Sequence, residues 1–122
     1  MPTDTSAQGL FVLASLKVEE GLRRANALLK SKALSSPDPA ETNSIYARIA
    51  ELDSKIAAVH AERLAVLAEM TTIVGPSNAQ YEQIEELASK IDALTASAND
   101  ANRILAAATA IAQAWNSAHA PA

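Results

Sequence analysis

Cysteine is absent from the 122 residues, which removes disulfide frameworks, thiolate metal sites and thiol nucleophiles together. Aromatic residues make up only 3% of the chain, with one Trp, one Phe and two Tyr. Stacking platforms for bases and aromatic anchors for a membrane interface are therefore scarce. Glycine occurs three times, at Gly9, Gly21 and Gly75, too far apart to form a phosphate-cradling loop. The longest apolar runs, "GLFVLASL" and "ILAAATAIA", fall well short of the ~20 residues that span a bilayer. The N-terminal "MPTDTSAQ" lacks the basic stretch of a secretory signal. A soluble, cytoplasmic protein is expected, with export by a signal-independent route left open.

Hydrophobic residues nevertheless reach 49%, and alanine dominates them. Alanine is the strongest helix former, and glycine and proline are the weakest. Each of the five prolines stands where a helix can begin or stop. Long helices in one domain spanning 1–122 are the expectation.

Their ends are written in capping residues. In "SSPDPAET", Asp38 is placed to cap, Pro39 to open the first turn, and Glu41 to favour the positive end of the helix dipole. In "VGPSNAQ", Gly75 can end a helix, Pro76 prevents its continuation, and Ser77 with Gln80 has the capping-box spacing. Thr5 and Gln8 repeat that spacing upstream. Three helices follow, over about 6–34, 39–74 and 77–118, with residues 119–122 as a frayed tail.

Apolar stripes agree with those limits. Along the second helix Ile45, Ile49, Leu52, Ile56, Val59, Arg63, Val66, Met70 and Ile73 alternate steps of four and three. The third continues Ile84, Leu87, Ile91, Leu94, Ala98, Ala101, Leu105, Ala108, Ala112 and Trp115. The first has a shorter stripe of Phe11, Ala14, Val18, Leu22, Ala25 and Leu29. Such spacing marks coiled-coil-like packing, and no useful stretch alternates by two as a strand does.

The expected fold is all-α: an antiparallel three-helix bundle in which a long 39–118 hairpin is flanked by the shorter N-terminal helix. Folding about Gly75 sets Ile49 against Ala101, Leu52 against Ala98 and Ile56 against Leu94, large against small. The same folding puts Phe11 near Arg63 and Trp115 level with Pro37, as a plug beneath the 31–38 loop. The hairpin tip, with Leu67, Met70, Ile73, Tyr81 and Ile84, is then left thinly covered. A competing arrangement has two hairpins forming a four-helix core as a dimer.

Candidate chemistry is sparse. His60 and His119 have no nucleophile or orienting carboxylate at a useful spacing. Ala57 stands where the Glu of a Glu-x-x-His metal motif would be, and Glu82, Glu85 and Glu86 are accounted for by a helix start. "SANDANR", residues 97–103, reads as a solvated face with no function. Neither catalysis, metal nor cofactor is expected.

Net charge is −4, divided between a basic start and an acidic remainder. Residues 1–34 hold five Lys/Arg against three Asp/Glu, and residues 35–122 hold five against eleven. That balance argues against nucleic acid and suits a first helix salt-bridged to acidic neighbours. Arg63, within an apolar stripe, is either a buried register-setting group or an anchor for a partner's acid.

"LFVLASL" is apolar in nearly every direction. Either it is wedged between the other helices, or a second copy covers it, or a different protein does. The expected function is a non-catalytic protein-binding module such as an adaptor, an inhibitor or immunity-type factor, or a chaperone. Its interaction residues would be Val12, Leu13, Leu16, Arg63, Leu67, Met70 and Tyr81, with another protein or a second copy as partner and no small-molecule substrate. The alternative is a helical protein that opens its amphipathic faces onto lipid, which the acidic balance and the scarcity of aromatics disfavour.

Overall fold

A computed structural model describes residues 5–68, 73–74, 76–95, 100–118 and 120–121. It contains four helices: α1 (Thr5–Ser35), α2 (Pro39–Leu67), α3 (Asn78–Asp92) and α4 (Ala101–Ala118). Ile73–Val74 and Ala120–Pro121 pair as a two-residue antiparallel ladder, so the end of the chain is tied back beside the start of α3.

The capping residues act as their types dictate. The Asp38 carboxylate accepts from the Ala40 amide at 3.0 Å, with Pro39 in the first turn of α2. Ser77 and Gln80 complete a reciprocal capping box at the start of α3. α2 ends at Leu67 instead of continuing to 74. Beyond it the sequence turns to the β-branched run Thr71-Thr72-Ile73-Val74, which disfavours helix. Gly75 and Met70 lie outside the described residues.

The third helix expected over 77–118 is two helices. α3 stops at Asp92, and α4 restarts at Ala101 with the Asp100 side chain accepting from the Arg103 amide at 2.8 Å. The polar patch 97–103 thus has a structural role at its end: an aspartate that caps a helix start competes with the helical conformation upstream. The restart also changes the phase of the stripe. Ile104, Ile111 and Ala118 join Ala108, Ala112 and Trp115 in the core, while Leu105 is half-buried.

Packing places α1 at the centre, against each of the other three helices. Among the described residues α3 packs chiefly on α1 and α4, and α2 chiefly on α1, so the expected seam between the second and third helices is replaced. α2 runs antiparallel to α1, joined across the seam by Arg63–Ser15 and Asn26–Asp53. α4 is also antiparallel to α1: Trp115 meets Phe11 and Ile111 approaches Gly21. α3 runs alongside α1, with Ile91 near Gly21 and the Leu94 carbonyl accepting from Arg24.

Trp115 therefore sits at the opposite end of the molecule from the 31–38 loop, 2% exposed and 5.0 Å from the Phe11 ring centroid. Phe11 faces Trp115, and Arg63 lies across from Ser15 and Glu19. The α1 stripe Phe11, Ala14, Val18, Leu22, Ala25 and Leu29 is fully buried, and the α2 stripe from Ile45 to Val66 is buried throughout. Ile84, expected at a thinly covered tip, is fully buried as well.

Candidate interaction surface

α1 enters the core by one broad side. Ser15 and Asn26 face α2, Phe11 faces α4, and Gly21 lies beneath both Ile91 of α3 and Ile111 of α4. At 3.6 residues per turn the side opposite this arc carries Leu13, Leu16 and Glu20, with Arg23 and Arg24 at its margins. Leu13 is 49% and Leu16 44% exposed, and Val12 is half-buried at the edge. "LFVLASL" is thus split: Phe11, Ala14 and Ser15 are core, while Leu13 and Leu16 are surface.

The C-terminal turn of α2 adds to this surface. Leu64 and Leu67 are 51% and 52% exposed. Both lie within about one turn of Arg63, which reaches Ser15 across the seam, so the four leucines gather where α1 begins and α2 ends. Leu64 had no place in the sequence-level surface; its signal is an apolar residue one step off the α2 stripe, beside Arg63. Among the described residues Tyr46 and Leu34 are the remaining large exposed apolar residues, and both lie away from this end.

Arg63 is buried, and both of its terminal nitrogens have partners within the chain. Nη1 donates to Ser15 Oγ at 3.4 Å, and Nη2 lies 3.3 Å from Glu19 Oε1 and 2.8 Å from His60 Nδ1. Ser15 in turn donates to the Val12 carbonyl at 2.7 Å. The arrangement gives a buried cation two acceptors and a counter-charge, as a buried charge requires. Tyr81 is half-buried against the core, and its hydroxyl donates to Glu85 at 3.4 Å.

A groove between α2 and α4, floored by Val18, Leu22, Val59 and Trp115, holds about 60 Å³, room for a water or two and far below the ~300 Å³ of ligand pockets. Among the described residues no group of three or more His, Asp or Glu is placed to hold a metal ion. No described helix is long and apolar enough to cross a membrane. The chain matches no family model, no curated protein and no solved structure.

Proposed function

We propose that this chain is a non-catalytic interaction module that lays the apolar outer face of α1, Val12, Leu13 and Leu16, with Leu67 of α2 beside it, against another protein. The observation that carries the reading is the half-exposure of Leu13 and Leu16, on the side of α1 opposite its buried arc. Contiguous exposed apolar surface on a small protein marks interaction sites more often than chance. Burying ~400 Å² of it is worth ~10 kcal/mol gross at ~25 cal/mol/Å², of which association entropy and side-chain ordering consume much. Glu20, Arg23 and Arg24 supply the charged rim that selects among partners. Arg63 and Tyr81 act from behind this surface, by holding α1 on α2 and by packing on the core.

The test is quantitative capture from lysate of the native host, with the wild-type chain and Leu13→Asp/Leu16→Asp as parallel baits. A protein retained by the wild type and lost by the variant, at unchanged helical circular dichroism, supports the reading. A bound set that the substitutions leave unchanged, or no bound protein at all, overturns it. Leu13→Ser/Leu16→Ser serves as the bait if the aspartates perturb helicity.

A further inference from the structure

The outer face of α1 does not end at Leu16. Leu34 stands about five turns further along the same line, at 3.6 residues per turn, and is 82% exposed. Between these apolar ends the face is basic. Arg23, Arg24 and Lys30 are exposed and Lys17 is half-buried at the margin, with Glu20 as the acid among them. Among the described residues no cation of α1 forms an ion pair with an acid of another helix. Arg23 pairs with Glu19 of its own helix, and Arg24 donates to the Leu94 carbonyl. In a chain of net charge −4, this basic face is left to solvent.

We propose that the occupant of the α1 face is an acidic amphipathic helix of a partner protein, with apolar side chains toward its two ends and carboxylates between them. The proposal rests on the reading of α1 as an interaction surface and names what that surface takes. From Leu13 to Leu34 the face is ~30 Å long at ~1.5 Å per residue, the length of a helix of about 20 residues. The apolar ends of such a helix cover Leu13 and Leu16 on one side and Leu34 on the other. Its carboxylates stand over Ala27, which is exposed and small enough to let them down among Arg23, Arg24 and Lys30. A guanidinium has five N–H donors, so both arginines can take a carboxylate beside the contact each already makes.

Charge decides against the other occupants. A twofold contact of this face with a second copy of itself sets like charges together. The acids of α3, Glu82, Glu85 and Glu86, offer a second copy no large exposed apolar side chain to meet the leucines. A bilayer is broad where this face is one helix wide, so the acidic neighbours of α1 would meet the same anionic headgroups. An interfacial helix also carries its apolar residues along its whole length, and here they are confined to the ends.

A single helix laid on this face makes an interface at the low end of specific ones, below ~1,200 Å² in total, so micromolar affinity is expected. Much of it is electrostatic and falls with salt. The basic middle and the leucine ends are separate sets of residues. Each can therefore be altered without the other.

The test is fluorescence anisotropy of a labelled synthetic helix of about 20 residues, with leucines toward both ends of one face and glutamates between them, titrated with the full chain. Micromolar binding is expected at low salt. It should weaken about tenfold when glutamine replaces glutamate in the peptide, and likewise with Arg23→Gln/Lys30→Gln in the chain. Both positions are exposed and glutamine suits a helix, so circular dichroism should stay unchanged. Vesicles of phosphatidylcholine with about a third phosphatidylserine, the probe for lipid, are expected not to bind. No binding of the glutamate helix, equal binding of the glutamate and glutamine helices, indifference to Arg23→Gln/Lys30→Gln, or capture by the vesicles would each overturn the proposal. The surface beneath it is read separately, by lysate capture with Leu13→Asp/Leu16→Asp. A protein lost from that variant, while the two peptides bind alike, would leave the surface standing and this occupant wrong.

Discussion

Arg63 of α2 and Glu19 of α1 form an ion pair across the central seam, 3.3 Å apart and with side chains only 10% and 14% exposed. Arg23 shares the same carboxylate from the solvent side at 3.7 Å, and His60 lies 3.5 Å from it. One acid thus serves two elements, and it fixes the register of α2 on α1 where the apolar stripes alone would allow a slip of a turn.

Arg63→Ala is expected to destabilise the fold by about 2–4 kcal/mol, since it opens a hole at the seam and leaves Glu19 only its solvent-side partner Arg23. Removing both partners, as Arg63→Met with Glu19→Met, is expected to recover most of that loss. Urea unfolding followed by circular dichroism reads both. Equal losses in the single and double variants would show that the pair contributes packing alone.

Phe11 and Trp115 join the same broad buried side of α1 to α4. Trp115 is the only tryptophan, so its emission reports this one contact. Phe11→Ala is expected to shift the emission to longer wavelength and to destabilise by about 3–5 kcal/mol. Unchanged emission would mean that Trp115 is sheltered without Phe11.

At Gly21 both α3 and α4 press closely on α1. A methyl group there would lie 3.0 Å from Ile111 Cδ1 and 3.3 Å from Ile91 Cδ1, on two different helices, and both isoleucines are fully buried. Alanine gains about 1 kcal/mol of helix propensity at this position, and overpacking is expected to exceed it. Gly21→Ala should therefore lose about 1 kcal/mol, and Gly21→Val clearly more, by thermal unfolding. A stabilised Gly21→Ala would show that α3 and α4 stand further from α1.

Much of this was legible in the sequence because it depends on local chemistry. The Asp38–Pro39 and Ser77–Gln80 starts follow from orphan amides that need acceptors, and the α1 and α2 stripes follow from helical periodicity. The break between Asp92 and Ala101 was not, because Ala98 and Ala101 carry the stripe across it without a gap. Its signal was Asp100, three residues before Arg103, read as solvated when it is a cap. The central position of α1 also escaped the periodicity. A helix packed on two sides needs a broad buried arc, and here part of that arc is Ser15, Gly21 and Asn26, which do not register as apolar. The surface leucines were half-legible: "LFVLASL" announces too many apolar directions, but only the position of α2 shows that Leu64 joins them.

Asp100→Ala should remove the cap of α4 and reduce stability by about 1 kcal/mol. Hydrogen exchange at the Arg103 amide is expected to quicken, since Asp100 is its acceptor. Unaltered exchange there would assign the start of α4 to tertiary packing.

The account rests on Leu13 and Leu16 being surface residues while Phe11, Ala14 and Val18, on the same turns, are core. Urea unfolding of Leu13→Asp/Leu16→Asp against the wild type measures this directly. Stability within about 1 kcal/mol of the wild type is expected, as for substitutions at exposed positions. A loss of several kcal/mol would place both leucines inside the fold and leave α1 with no face to offer a partner.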